Sequence, residues 1–148
     1  MMDKKKLKST LLEIIQFKLD ELHKAIALID QSAKEETKSS AGDKYETSRA
    51  MLQQEKDKKQ SQMDLWQSHL SHAKLISVES CETVEMGAVV DSTMSLLYIS
   101  VPVGKFSFQG QKVFGISTDA PIYQAIKGGK DGDQFTFNGK RVDIKKVY

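Results

Sequence analysis

The first half of the chain carries apolar residues at alternating spacings of three and four. The first set is Leu12, Ile15, Leu19, Leu22, Ile26, Ile29 and Ala33. This heptad pattern is typical of a coiled coil. It fades in a polar stretch around Gly42 and resumes with Leu52, then with steps of three and four at Met63, Trp66, Leu70 and Ala73. Between Leu52 and Met63 the same register carries Lys56 and Lys59, so this part of the second helix is weakly apolar. The pattern therefore predicts two helices that fold back as an antiparallel hairpin.

The second half alternates short apolar runs with turn residues. We predict strands at 84–90, 96–103, 112–116, 134–137 and 141–147. Asn138-Gly139, between the last two runs, predicts a tight β-hairpin. Pro121 suits the first turn of a short helix, and Gly128 suits its end. The predicted fold class is α+β: an antiparallel coiled-coil hairpin, then a small antiparallel sheet with one short helix.

Glycine and proline divide the chain in the same place. Residues 1–80 contain one glycine and no proline, whereas residues 81–148 contain eight glycines and both prolines. Because both residues are costly inside helices and useful in turns, this supports a helical first half. We predict a hairpin over 1–78, with its tip near 38–46, and a second domain over 82–148.

Charge and cysteine content narrow the classes of function. The chain has 22 basic and 20 acidic residues, a net charge of +2, which is too small to predict nucleic-acid binding from bulk electrostatics. Cys81 is the single cysteine, so neither an intramolecular disulfide nor a cysteine-rich zinc site is possible. No apolar run reaches the ~18 residues of a membrane span. We expect a cytoplasmic protein without membrane association.

The most pointed candidate group follows Gly42 at the predicted tip. Asp43 and Glu46 are three residues apart, so both carboxylates share one helical face. Paired carboxylates suit a Mg²⁺ ion that keeps several of its waters. The same spacing before a helix is also that of a capping box, so both interpretations stay open.

Basic residues surround these acids. Lys38, Lys44 and Arg49 are either a solvated helix surface with local ion pairs or a partial contact surface for a phosphate backbone. Elsewhere the chain has no nucleophile elbow and no phosphate-binding loop of the Gly-Lys-Ser type. We find no self-contained active site in the sequence.

Two motifs together resemble those of a known family. The first is Gly42-Asp43-Lys44-Tyr45-Glu46. The second runs from Gly115-Ile116-Ser117 through Asp119-Ala120-Pro121 to Gly128 and Gly132-Asp133. They are similar to the tip motif and the C-terminal signature of the bacterial Gre-type transcript cleavage factors, the GreA/GreB family. The resemblance covers about residues 8–147.

The resemblance implies a specific role in transcription elongation. A C-terminal domain of FKBP-like fold would dock on RNA polymerase at the rim of its secondary channel, through Asp119, Ala120 and Pro121. The hairpin would bring Asp43 and Glu46 to the polymerase active site, where they share Mg²⁺ and promote cleavage of backtracked RNA. Lys38, Lys44 and Arg49 would lie near the nascent RNA and DNA.

The resemblance also implies that the protein is not itself an enzyme, holds no cofactor of its own and acts as a monomer. Two departures from the family pattern open an alternative. Ala120 stands where the family usually has serine, and Lys44-Tyr45 changes the tip. The alternative is a factor that binds the channel and inhibits or modulates transcription without stimulating cleavage. A prolyl isomerase and a plain coiled-coil scaffold are further alternatives.

Overall fold

The computed structural model describes the backbone of residues 2–38 and 43–148, and the side chains of residues 2–35 and 46–148. The helices are α1 (Lys4–Lys38), α2 (Asp43–Lys74) and α3 (Pro121–Ile126). The strands are β1 (Val89–Ser92), β2 (Leu96–Ile99), β3 (Gly104–Phe108), β4 (Gln111–Ile116), β5 (Gln134–Phe137) and β6 (Lys140–Val147). The predicted α+β class, a helical hairpin followed by a sheet with one short helix, is confirmed.

The chain divides into two compact units. One comprises Ile15–Leu70, and the other comprises Met1–Ile14 together with Ser71–Tyr148. In the first unit α1 buries Ile15, Leu19, Leu22 and Ile29, and α2 buries Met63. Ile26, Ala33, Leu52, Trp66 and Leu70 are half-buried. The predicted heptad positions therefore form the apolar face of this unit.

Near its start, α1 departs from the predicted pattern. Leu7 and Leu11 are fully buried, whereas Leu12 is only half-buried. The buried positions here advance in steps of four from Leu7 to Ile15. Leu7 and Leu11 belong to the unit that contains the sheet, as do the buried Ala73 and Ile76. Burial at the start of α1 therefore follows the packing of that unit rather than the heptad repeat.

The sheet has six strands in the order β3-β4-β2-β1-β6-β5. β1–β2, β1–β6, β3–β4 and β5–β6 are antiparallel, but β2 pairs with β4 in parallel, with Leu96 opposite Val113. The expectation of a purely antiparallel sheet is therefore wrong for one pairing. The cause is topological, because β3 forms the edge and β4 returns between β3 and β2.

The predicted run 96–103 is a strand only over Leu96–Ile99, which is β2. After β2 the Val103 amide donates to the backbone oxygen of Val101 at 2.8 Å, which turns the chain at Pro102. β3 then leads into β4 through Gln109 and Gly110, whose φ angles are 50° and 77°. Two positive φ angles are the mark of a type I′ turn, which two-residue hairpins prefer.

Two other predicted strands have different outcomes. The run 84–90 is a strand only from Val89, because Val84 instead exchanges backbone hydrogen bonds of 2.9 Å with the Gly128–Gly129 segment after α3. The hairpin at Asn138-Gly139 is confirmed, with φ angles of 51° and 75° and Phe137 opposite Lys140.

One face of the sheet holds a hydrophobic core that includes α3. Its buried members are Val84, Ala88, Val90, Leu97, Ile99, Ile126, Ile144 and Val147. Tyr98 alternates with Leu97 and Ile99 along β2 and is also fully buried. The Tyr98 hydroxyl is the one buried side-chain polar atom without a hydrogen-bond partner in the described part of the chain. Burial raises the pKa of Tyr98 to about 12.

Candidate functional site

Helix α2 begins at Asp43, and Glu46 lies in its first turn. The helical backbone therefore gives these two residues the i, i+3 relation predicted from the sequence. Glu46 is exposed. Gly42 and residues 39–41 of the predicted tip lie outside the described residues, as does the Asp43 side chain. Convergence of the two carboxylates therefore stays a prediction.

The start of a helix has a chemistry that suits these acids. Its first amides lack intrahelical acceptors, and the helix dipole is positive there. Both effects make the first turn of a helix attractive to negatively charged groups. A negatively charged carboxylate suits both a helix cap and an outward-facing metal ligand. The capping interpretation therefore stays open beside the functional one.

The predicted basic residues occupy both helices beside this turn. Lys38 is the last residue of α1 and Lys44 is the second residue of α2, but their side chains lie outside the described residues. Arg49 is exposed, one turn after Glu46. A contact of these residues with nucleic acid stays a prediction.

The hairpin unit also has a shallow groove that sequence patterns did not indicate. Met51, 65% exposed, lies in it with Leu52 and Lys58. Its remaining lining is Ser32, Ser48, Gln54 and Glu55. Lys58 and Glu55 carry charges of opposite sign, so the groove does not bring together several charges of the same sign.

The predicted docking residues lie where β4 leads into α3. Ser117 organises this turn, since its hydroxyl accepts the Asp119 amide at 3.2 Å and its backbone oxygen accepts the Ala120 amide at 3.1 Å. Ala120 is the N-cap of α3 in an extended conformation, and its side chain makes no capping bond. Pro121 occupies the first helical turn, as predicted.

Asp119 and Ala120 share a shallow depression with residues that the sequence did not single out. Its other lining residues are Pro102, Gly104, Gly115, Ile116 and Ser117. Gly115 is required at this point, because a Cβ there would lie 2.5 Å from the Val103 Cγ2 atom. Pro121 is exposed outside the lining. The depression is mostly apolar, with the exposed Asp119 as its single charged side chain.

Other chemistry-bearing side chains do not form a site. Among residues 2–35 and 46–148, no three or more His, Cys, Asp or Glu side chains come together as metal ligands. The Trp66 and His69 rings lie nearly perpendicular to each other, with centroids 5.3 Å apart. Burial raises the pKa of the Cys81 thiol, an effect that the nearby Lys4 ammonium opposes. A search of the described helices for a bilayer-spanning segment finds none.

Comparisons with known proteins add one structural similarity. No protein-family model matches the chain, and no curated protein matches it. The chain is similar to a solved structure described as "Structure of the transcription factor Gfh1". The identity is 18%, the match covers 93% of this chain and 92% of that chain, and the TM-score is 0.39. Similarity at this level carries no argument about function.

Proposed function

We propose that the protein is a transcription elongation factor that enters the secondary channel of RNA polymerase and stimulates cleavage of backtracked RNA. The observation that carries the proposal is the pair of long helices α1 and α2, with Glu46 exposed in the first turn of α2. The motif resemblance supplies the partner. The protein is an accessory factor rather than an enzyme.

The proposal requires only that the tip carboxylates position a water molecule and a metal ion. Asp43 and Glu46 accept hydrogen bonds from a water molecule and orient it toward the scissile phosphodiester. The Mg²⁺ held in the polymerase would supply Lewis-acid activation of that water, and the tip carboxylates would complete its oxygen ligands.

The second contact in the proposal is the depression beside α3. It offers an apolar surface with one exposed carboxylate, Asp119, next to the rigid turn at Ala120 and Pro121. Such a surface suits a partner segment that presents an apolar side chain beside a basic one. The proposal assigns this contact to the polymerase.

The deciding experiment measures RNA cleavage in a backtracked elongation complex. Wild-type protein is expected to accelerate cleavage, and both Asp43→Ala and Glu46→Ala are expected to abolish the acceleration while polymerase binding persists. Loss of the Asp43 cap would cost only about 0.5–2 kcal/mol, so both variants should stay folded. Glu55→Ala, which removes an exposed acid farther along α2, is the matched control.

The outcomes separate the proposal from its alternative. Full activity in both tip variants would return Asp43 and Glu46 to a capping role. Polymerase binding with slower elongation and no cleavage would instead support the inhibitory factor. The specific observation that favours the alternative is Ala120, which presents no hydroxyl at the N-cap of α3.

A further inference from the structure

The C-terminal end of α2 is held by a side chain from α1. Lys8 donates from Nζ to the backbone oxygens of Lys74 and Ile76, each at 2.8 Å. The last turn of α2 is also tightened, because the Leu75 and Ile76 amides donate three residues back, to His72 and Ala73. All of these residues belong to the unit that contains the sheet.

These bonds satisfy groups that a helix end leaves without partners. The final carbonyls of a helix have no intrahelical donor, and the helix dipole is negative there. A lysine ammonium provides both donors and positive charge. Hydrogen bonds from a charged donor are also stronger than those between neutral groups. Lys8 therefore ties a fixed point of α1 to a fixed point of α2.

Lys4, one turn earlier, makes a similar connection. It is 94% buried, and its Nζ donates to the Glu79 backbone oxygen at 2.6 Å and to that of Tyr148 at 3.2 Å. This tie holds the chain that follows α2. Lys4 therefore restrains the segment after α2, whereas Lys8 contacts the end of α2 itself.

Over residues 46–62, apolar packing specifies the alignment of α2 only weakly. Between residues 46 and 62 none of its side chains is buried, and its register there carries Lys56 and Lys59. The Lys56 ammonium lies 2.7 Å from Asp30 Oδ1, but these side chains are 37% and 48% exposed, so their pairing contributes little. A repeating seam with few large buried side chains permits neighbouring alignments.

We propose that Lys8 is a positioning residue that sets the register of α2 against α1. The part of this inference that concerns Asp43 and Glu46 rests on the proposed function. Because α2 is continuous from Asp43 to Lys74, a shift at its C-terminal end carries the two acids with it. One helical turn of slippage is about 5.4 Å, far more than aligned catalytic groups tolerate.

The test compares Lys8→Met with Lys5→Met, an exposed lysine of the same segment, in the full-length chain. Two pairs of exposed positions are spin-labelled in a Cys81→Ala background. The first pair is Ser9 with His72, and the second is Lys34 with Ala50. We expect Lys8→Met to broaden or shift both distance distributions by about 5 Å, one helical turn. Lys5→Met and Lys8→Arg, which keeps charged donors, should leave them unchanged.

Unchanged distances in a Lys8→Met variant of full helical content would overturn the register role. If that variant loses helical content, Lys8→Gln, which keeps a shorter neutral donor, takes its place with the same criterion. In the cleavage assay, a register shift should lower stimulation by about 100-fold without weakening polymerase binding. Absence of stimulation by the wild type would refute the proposed function alone, since the distance measurement needs no polymerase.

Discussion

At the scale of single residues, two buried polar side chains differ in whether their polar group has a hydrogen-bond partner. Lys4 is 6% exposed, and its ammonium reaches two backbone oxygens. Tyr98 is 0% exposed, and its hydroxyl finds no partner among the described residues. A buried polar group without a partner costs stability, whereas a charge with several acceptors is tolerated. Tyr98 is therefore a site where a natural side chain is not optimal for stability.

Replacing Tyr98 with phenylalanine should stabilise the protein by about 1 kcal/mol near neutral pH, because the unpaired hydroxyl disappears and the ring remains. The advantage should grow with pH. The pKa of Tyr98 is about 12 in the folded state against an ordinary value of 10.0, so unfolded Tyr98 loses its proton first. Stability that is complete below pH 10 is then lost as the pH rises toward 12, by about 1.4 kcal/mol at pH 11.

Urea unfolding of wild type and Tyr98→Phe across this pH range measures both effects. Tyr123→Phe, at a half-buried position, controls for the loss of one phenol. A constant difference between wild type and Tyr98→Phe at every pH would contradict the assigned cause.

At the scale of elements, α3 begins with an unused capping position. Ala120 has the extended backbone of an N-cap, with φ −64° and ψ 137°, but no side-chain oxygen. Ala120→Ser should raise the free energy of unfolding by about 1 kcal/mol, because a serine hydroxyl can accept a free first-turn amide. Chemical denaturation measures the gain. Ala27→Ser, in the exposed interior of α1, should instead be slightly destabilising, and an equal gain in both variants would argue against capping.

The elements also show what sequence patterns can predict here. Local rules were sufficient for the helical hairpin, for β5 and for the Asn138-Gly139 turn, since periodicity and turn chemistry depend on neighbouring residues. β3 was missed because Gln109-Gly110 lacks the asparagine or aspartate that usually marks such a turn. The parallel β2–β4 pairing depends on contacts between distant segments, which no local pattern encodes.

For the candidate site, too, the sequence predicted local placement but not contacts between distant segments. Sequence spacing placed Asp43 and Glu46 in one helical turn and Pro121 at the start of α3, and the backbone agrees. It did not indicate that Pro102 and Gly104 line a depression with Asp119, because these residues meet only through the sheet. Nor did it indicate the contacts of Lys8, since a lysine early in a helix usually remains in solvent.

At the scale of the whole molecule, the two units differ in how they bury side chains. The unit with the sheet contains most of the fully buried residues, including Val89, Val90 and Ile99. In the hairpin unit, residues 46–62 of α2 bury none. Local opening is cheapest where few apolar contacts must be broken. The difference therefore predicts unequal protection along the chain.

Hydrogen–deuterium exchange measures that protection directly. Amides of residues 46–62 should exchange about 100-fold sooner than those of β1 and β2, a difference of about 3 kcal/mol in opening free energy. Residues 15–29 of α1, which carry four buried side chains of the same unit, are the internal comparison and should lie between. Equal protection in all three segments would contradict this.

The pairing of β1 with β6 has a consequence for biosynthesis. β1 is complete at Ser92, but its neighbour on one side is made of residues 140–147. At about 5–20 residues per second, a translating ribosome needs roughly 3–10 seconds to reach Val147 after Ser92. During that interval one edge of β1 is open on the nascent chain. Chaperones that recognise unpaired apolar strands can bind β1 during this interval.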